Sequence, residues 1–224
     1  YNFKHDFQHL TQEDLGWRKN KALNNAIKAA RAEWLIVIDG DCVLHPRFIE
    51  MHVRNAGEKN ILAGKRVKLN KKISAELLDQ PSRLLKMSQS MIKNLIFKEK
   101  GLSFVEEGIF ISPDGIFGWI PKMRTLNHLK GCNMSFSKKA IEAINGFDED
   151  YVLPAVGEDA DLTWRFVNAG FTIKSIRNMA VQYHLFHKEN WTSQEENLRI
   201  MAEKQARNEF ICKNGLTKIS NNNA

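Results

Sequence analysis

The chain has 224 residues, 43% of them hydrophobic and 26% charged, which is enough to bury a core and favours one domain over two. Its formal net charge of +7 suits a phosphorylated ligand or anionic lipid; nucleic acid is not an expected partner, because zinc-finger spacing, an aromatic RNA-binding signature and a wholly basic helix face are all missing. The three cysteines lack C-x-x-C spacing, which argues against a disulfide framework or zinc site, and no apolar run approaches the ~20 residues of a membrane-spanning helix.

Helix, strand and acidic loop follow one another early in the chain. Residues 17–31 carry a stripe of small and apolar side chains at helical spacing, which predicts an amphipathic helix. Residues 34–38 are a short apolar run rich in Ile and Val, typical of a central strand, and they end at an Asp-Gly-Asp sequence. Pro46 is suited to the first turn of the next helix, and residues 61–67 are predicted to form another strand.

The middle of the chain combines a segment of helical character with an irregular one. Residues 68–100 are lysine-rich, and their apolar side chains return at helical spacing. Residues 101–128 are rich in glycine, proline and aromatic side chains, which predicts an ordered but irregular region that borders a ligand.

The last part of the chain alternates strands with helices. The predicted strands are 133–137, 172–176 and 180–185, and the predicted helices are 138–144, 158–169 and one that begins near residue 192. Such alternation predicts an α/β sandwich, and no internal repeat is visible.

The acidic sequence is the first candidate site. Asp39 and Asp41 lie two residues apart at the end of a predicted strand, so their carboxylates project to one face, and Gly40 leaves room for a ligand. Mg²⁺ or Mn²⁺ is bound in proteins by one or two carboxylates, with water and substrate phosphates filling the remaining positions. The alternative is an acidic turn that only ends the strand, since so short a motif is common by chance.

Further motifs follow in order and together resemble inverting family-2 glycosyltransferases of the GT-A fold. They are Lys19 with Ala22-Leu23-Asn24 (K-x-x-A-L-N), Gly131-Cys-Asn133-Met-Ser-Phe136 (G-x-N-x-x-F), Gly146-Phe-Asp-Glu149 (G-F-D-E) and Glu158-Asp159 (E-D opening a helix). With the acidic motif they cover residues 15–187. The resemblance implies a GT-A-like, Rossmann-like α/β/α sandwich with a mixed central sheet.

The resemblance does not extend to the beginning of the chain. Such enzymes usually begin with an apolar strand ending in a P-x-Y-N-like sequence, and a second strand ending in an acidic residue, which hold the base and ribose of the donor. Nothing before Phe7 resembles these strands. We therefore expect an N-terminally truncated fold with an incomplete nucleotide pocket.

The resemblance implies a donor and metal site in the first half of the fold. Asp39 and Asp41 would contact a divalent cation, Mn²⁺ or Mg²⁺, and the diphosphate of the nucleotide-sugar donor. Further donor contacts would come from Arg18, Lys19 and Asn24. His184, and after it His187, would be a further metal ligand. The alternatives are a solvated helix start for Arg18 and Lys19 and a structural role for the histidines.

The resemblance also implies the catalytic and acceptor residues. Asp159, beside Glu158, would take the proton from the acceptor hydroxyl as it attacks the anomeric carbon, which contributes on the order of 10²–10⁴ in rate. The alternative is a pair of acids placed at a helix N-terminus by the helix dipole. Acceptor contacts are expected from Gly131, Asn133 and Trp119, and core packing is an equal alternative for the tryptophan.

The resulting hypothesis is a metal-dependent hexosyltransferase that uses a UDP-sugar. It would move a hexose or N-acetylhexosamine with inversion to a glycan or lipid-linked acceptor, in polysaccharide or cell-surface glycan biosynthesis. One catalytic domain would consist of a donor and metal half (1–68), a variable acceptor region (69–128), a catalytic half (129–190) and a C-terminal helix and tail (191–224). The alternatives are a nucleotidyltransferase, although no glycine-rich phosphate loop is visible, and a non-catalytic glycan- or membrane-binding module of the same fold.

One segment suggests a peripheral membrane contact. Residues 87–97 present an apolar face with lysines around it, at positions 86, 93, 98 and 100, a composition typical of helices that lie on anionic membranes. Packing of this helix against the sheet is the favoured alternative. The expected location is the cytoplasm, with the inner face of the membrane as an additional contact.

Overall fold

The computed structural model describes residues 6–97, 99–154, 156–188 and 192–219, and for Glu158 the backbone alone. The helices are α1 (Lys19–Ala29), α2 (Phe48–Asn55), α3 (Lys71–Asp79), α4 (Met87–Phe97), α5 (Trp119–Met123), α6 (Lys138–Ala143), α7 (Leu162–Asn168) and α8 (Glu195–Ala206). The strands are β1 (Trp34–Ile38), β2 (Cys42–Leu44), β3 (Asn60–Ala63), β4 (Val67–Lys68), β5 (Asn133–Ser137), β6 (Thr172–Ser175) and β7 (Gln182–His184). Shorter turns are the 3₁₀ segments Pro81–Lys86 and Val105–Gly108 and the π-helical segment Gly157–Asp161. None of the helices described is long and apolar enough to cross a bilayer.

The strands form two mixed sheets. In the larger sheet the order is β1-β5-β3-β6, where β5 is antiparallel to β1 and β3, and β6 is parallel to β3. In the smaller sheet the order is β2-β7-β4, where β7 is antiparallel to β2 and parallel to β4. The predicted α/β class with a mixed sheet is confirmed, whereas the second sheet was not predicted.

The larger sheet is the middle layer of a three-layer sandwich. Along β3, Ile61 and Ala63 pack on one side in a cluster with side chains of α1, α6 and α7, while Leu62 packs on the other side with Phe48 and Met51 of α2. This alternation follows from the pleat, which turns successive side chains to opposite faces. The smaller sheet has its own core, which it shares with α3 and α4.

Local signals in the sequence account for several helix ends. The side chain of Asn70 accepts a hydrogen bond from the Ile73 N–H at the start of α3, and that of Ser137 accepts one from Ala140 at the start of α6. After α6 the chain turns at Gly146, whose φ of +80° lies in the left-handed region that favours glycine.

The last helix begins at Glu195 and the strand predicted at 180–185 is Gln182–His184, and two further predicted elements differ in kind from the structure. The predicted strand 61–67 is divided into β3 and β4, which lie in different sheets and are joined by residues 64–66. The predicted helix 158–169 begins as a π-helical segment before it becomes α7, because the N–H groups of Ala160 and Asp161 both donate to the Val156 carbonyl at 3.0 Å. Such segments often occur at functional sites.

Candidate functional site

The acidic sequence lies where the chain passes from the larger sheet to the smaller one. Ile38, the last residue of β1, pairs with Asn133 of β5, and Cys42, the first residue of β2, pairs with His184 of β7. Residues 39–41 therefore lie between the beginning of β5 and the end of β7. Segments far apart in the sequence meet at this junction.

Both carboxylate oxygens of Asp39 contact cations. Lys19 Nζ, from the first residue of α1, lies 2.9 Å from Oδ1, and Arg66 Nη1, from the β3–β4 connection, lies 2.9 Å from Oδ2. The side chain of Asp39 is 22% exposed, so these ion pairs are partly shielded from solvent. The sequence pointed to Lys19 but not to Arg66, because a basic pair in a short connection is usually a solvated turn.

Asp41 has different neighbours, which are two histidines. His184 Nε2 and His187 Nε2 lie 3.2 Å and 3.1 Å from Oδ2 of Asp41 and 3.2 Å from each other. Burial, and after it the charge of Arg66, lowers the pKa of His184, although Asp41 opposes this. A neutral imidazole is the form that binds metals.

These three side chains fit a divalent metal ion. Their candidate ligand atoms, one carboxylate oxygen and two imidazole nitrogens, all lie within 4.8 Å of one another. Three protein ligands leave further coordination positions open for water or substrate phosphates. Imidazole nitrogens suit transition metals better than Mg²⁺, which prefers oxygen ligands. Asp39 is less suited to be a ligand, since each of its oxygens already contacts a cation.

Cys132 connects the acidic sequence electrostatically with the predicted catalytic residue. Its thiol is buried, and burial raises its pKa to about 11. Arg66 opposes this rise, while the carboxylates of Asp39 and Asp159 both add to it. Backbone geometry links the same two carboxylates, because Asp159 accepts a hydrogen bond from the Gly131 N–H, and Asn133, two residues further on, pairs with Ile38, which precedes Asp39.

Asp159 lies in the π-helical segment and faces the segment before β5. Its Oδ1 accepts a hydrogen bond of 2.5 Å from the Gly131 N–H, and its Oδ2 lies 3.3 Å from Lys130 Nζ. The side chain remains 25% exposed, so the carboxylate is held in place and still accessible to a substrate. The side chain of Glu158, its predicted companion, lies outside the described part of the chain.

Asn133 holds the connections between the two sheets together. Its buried Nδ2 donates to the carbonyl groups of Lys65, at 2.8 Å, and Ala180, at 3.0 Å. Its Oδ1 lies 3.1 Å from Nε2 of His52, which donates to it. The first two bonds position the connections that carry Arg66 and lead to β7. With every polar atom of its side chain bonded inside the protein, Asn133 is better placed to position the site than to contact an acceptor.

Asn24 is buried in a similar way. Its Oδ1 accepts from the Phe147 N–H at 2.9 Å, and its Nδ2 donates to the Phe147 carbonyl and to Glu149, both at 2.8 Å. These bonds join α1 to the Gly-Phe-Asp-Glu turn and so help to hold Lys19 in place. A direct contact between Asn24 and a donor is not favoured by this arrangement.

Two predicted contact residues are exposed. Arg18 precedes α1, and its Nε donates a long hydrogen bond of 3.4 Å to the Leu15 carbonyl. Trp119 begins α5 and is 56% exposed. Among the hydrogen bonds, ion pairs and ring contacts of the described residues, none joins Trp119 to Asp159, whose partners are Gly131 and Lys130.

Comparison with known protein families gives one finding. The sequence profile described as "Glycosyltransferase like family 2" matches residues 5–202. This range includes every site residue described above, from Arg18 to His187, and most of the chain. A comparison with individual curated proteins finds no match.

Proposed function

Because the chain belongs to the family-2-like glycosyltransferases, we propose that it is a metal-dependent hexosyltransferase that uses a UDP-sugar. It transfers a hexose or N-acetylhexosamine, with inversion, to a glycan or lipid-linked acceptor in polysaccharide or cell-surface glycan synthesis. The observation that carries this proposal is the meeting, at one junction, of the Asp41–His184–His187 set, the cation-paired Asp39 and the accessible Asp159.

The donor diphosphate is assigned to the cations around Asp39. Lys19 and Arg66 each contact one oxygen of that carboxylate at 2.9 Å. A diphosphate provides oxygens of the same charge, and a guanidinium group binds such oxygens through paired hydrogen bonds. When the diphosphate binds, Lys19 and Arg66 would therefore replace part of their contacts with Asp39 by contacts with phosphate oxygens, and neither cation would be left unpaired. The net charge of +7 supports an anionic donor.

The metal is assigned to Asp41, His184 and His187. A divalent cation held there would offset the negative charge that develops on the departing diphosphate. The two imidazole nitrogens favour Mn²⁺ over Mg²⁺. Burial lowers the pKa of His184, which favours the neutral form that binds metals, while the more exposed His187 completes the set.

Asp159 is assigned the role of general base. Its carboxylate accepts the proton of the acceptor hydroxyl while that oxygen forms a bond to the anomeric carbon. The bond from the anomeric carbon to the diphosphate oxygen breaks on the opposite face, which inverts the configuration and releases the nucleoside diphosphate. The Gly131 N–H and Lys130 Nζ orient the carboxylate. A positioned base of this kind contributes on the order of 10²–10⁴ in rate.

Calorimetric titration of the protein with UDP, in the presence and absence of Mn²⁺, tests the proposal. Wild type is expected to bind UDP with Mn²⁺, and Asp41→Ala to lose the Mn²⁺-dependent part of the binding. Asp79→Ala, which removes an exposed carboxylate at the end of α3, is the matched control and is expected to behave as wild type. An Asp41→Ala protein with the wild-type affinity for UDP and Mn²⁺ would contradict the metal assignment.

Release of UDP from a panel of UDP-sugars, with and without acceptors, tests turnover. An increase in release on addition of a glycan or lipid-linked acceptor is expected. Binding of UDP without release from any combination would instead favour a non-catalytic module of the same fold.

A further inference from the structure

The outer face of α4 is apolar and exposed. Met87 and Met91 pack in the core of the smaller sheet, and Asn94 is buried as well. On the outside lie side chains that are between 44% and 79% exposed: Ile92, Leu95, Ile96 and Phe97. A helix that buries one face on the protein normally presents a polar face to water. The composition of this outer face therefore indicates that something other than water contacts it.

A second apolar segment lies beside this helix. Ile116 and Phe117, just before α5, are 91% and 61% exposed. They line, together with Ile92 of α4, a groove of about 400 Å³. The two segments thus form one surface, which we call the α4–α5 face: Ile92, Leu95, Ile96, Phe97, Ile116 and Phe117. Contiguous exposed apolar surface of this kind marks an interaction site.

The charges around the α4–α5 face are positive. The lysines on its two helices and just before α4 are Lys86, Lys93 and Lys122. Within the described part of the chain, none of the three has a carboxylate partner. The acids between the helices are neutralised by their own cations: Glu99 by Lys72 at 4.0 Å, Glu106 by Arg124 at 3.9 Å, Glu107 by Arg177, and Asp114 by Arg54 at 2.7 Å.

We propose that the α4–α5 face docks on an anionic lipid bilayer. Its apolar side chains enter the boundary between headgroups and acyl chains, and its lysines contact lipid phosphates, as in helices that lie in the membrane interface. A second copy of the chain fits less well, because a symmetric contact through this face would bring two sets of unpaired lysines together. The inference goes beyond the proposed function and does not require the chain to be an active transferase.

Vesicle flotation tests the apolar part of the surface. Wild type is expected to float with vesicles of an equimolar phosphatidylcholine and phosphatidylglycerol mixture and to remain unbound with phosphatidylcholine alone. The double variant Ile96→Asp/Phe97→Asp is expected to lower the partition coefficient at least about ten-fold, since it removes two large apolar side chains from the interface. The matched control is Val53→Asp/Val167→Asp, which changes valines that are 59% and 52% exposed on other helices and is expected to have no such effect.

Charge reversal tests the lysines separately from the net charge. Each lysine near an anionic surface contributes about five-fold to binding, so Lys86→Glu/Lys93→Glu is expected to weaken it about twenty-fold or more. Lys28→Glu/Lys139→Glu changes the net charge equally at exposed positions on α1 and α6, and is expected to weaken binding much less. Equal losses in the two charge variants would overturn the proposal.

Other results would also overturn the α4–α5 face as a lipid site. One is that the Ile96→Asp/Phe97→Asp protein floats as well as wild type, and another is that wild type binds neutral vesicles as well as anionic ones. A third is that wild type does not bind vesicles and forms a dimer in sedimentation velocity, which the double variant does not form. The UDP and Mn²⁺ titration is run on the same variants and is expected to match wild type, so failure of the lipid proposal and failure of the proposed function are distinguishable.

Discussion

Nη1 of Arg66 lies 2.9 Å from Oδ2 of Asp39, although 27 positions separate the two residues in the sequence. The contact spans the junction between the two sheets, and Lys19 contacts the other oxygen of the same carboxylate at 2.9 Å. Asp39 thus holds two cations beside the histidine-bound Asp41. The two aspartates of one short motif have different partners, which implies different roles.

Replacement of Arg66 tests its assignment to the donor. Arg66→Gln removes one charge-assisted hydrogen bond to the diphosphate, and we expect the affinity for UDP and Mn²⁺ to fall about ten-fold. Arg66→Lys is expected to recover part of this loss, because it keeps the charge but not the paired geometry. Calorimetry measures both. The control is Arg83→Gln, on the exposed Pro81–Lys86 turn. If Arg66→Gln and wild type bind UDP with equal affinity, Arg66 does not contact the donor.

Substitution of the two aspartates separates metal binding from donor binding. Asp41→Asn is expected to weaken Mn²⁺ binding at least about ten-fold, since it removes the charged ligand of the histidine set. Asp39→Asn is expected to leave Mn²⁺ binding near that of wild type and to change the affinity for UDP instead. The paramagnetic resonance signal of free Mn²⁺ measures metal binding directly. If both variants lose Mn²⁺ equally, the metal is shared by the two carboxylates.

Asp159→Asn tests the general base. The amide keeps the size of the side chain but cannot take a proton, so we expect kcat to fall on the order of 10²–10⁴ while UDP binding is unchanged. Lys130→Ala is expected to have a smaller effect, because Gly131 still holds the carboxylate through its N–H. Steady-state release of UDP with an acceptor is the measurement. An Asp159→Asn enzyme that retains its turnover would exclude this residue as the base.

Two glycines at the junction are expected to respond differently to alanine. A Cβ at Gly64 would come within 2.5 Å of the Asn133 carboxamide, so Gly64→Ala is expected to destabilise the fold by roughly 1–3 kcal/mol. A Cβ at Gly40 would meet no atom within 4 Å, so Gly40→Ala is expected to unfold at the same temperature as wild type. The added methyl group would occupy open space beside the acidic sequence, and for that reason the variant is expected to bind UDP more weakly. Thermal unfolding and calorimetry distinguish the two effects. A loss of stability in Gly40→Ala would indicate a packing role for that residue.

His52 makes stability depend on pH. Burial lowers its pKa to about 4, from an ordinary value of 6.5, although the bond to Asn133 opposes the shift. Above pH 6.5 the imidazole ring is neutral in both the folded and the unfolded protein. As the pH falls from 6.5 to 4, the unfolded chain binds a proton at His52 that the folded chain does not bind. The free energy of unfolding therefore decreases, by about 3 kcal/mol in total.

Urea unfolding of wild type and His52→Gln over this pH range measures the effect. The variant is expected to be less stable near pH 7, because Ser135 and Asn133 lose well-placed partners. The stability difference between the two proteins is expected to shrink as the pH falls. Asp161, whose pKa burial raises to about 6, acts in the opposite direction in both proteins and cancels in the difference. A constant difference across the range would show that His52 does not titrate as described.

Short-range patterns carried much of what could be predicted for this chain. Helix and strand periods indicated an α/β fold, and ordered motifs indicated the family, because each depends on residues close together in the sequence. The same motifs pointed to Lys19 and Asp39, which the structure brings into contact. They also pointed to His184 and His187, which lie beside Asp41.

The tertiary structure decided which atoms these residues contact. The pattern of residues 61–67 indicates a strand but contains no information about which sheet each half joins, and their division between two sheets is what places Arg66 beside Asp39. Asn133 matches a motif, yet its carboxamide is bonded to segments 47 to 81 positions away. Periodicity shows that a face is buried, whereas the partner that buries it depends on long-range packing. For that reason the acidic motif could be found in the sequence by itself, and only the fold showed that its two carboxylates have different partners.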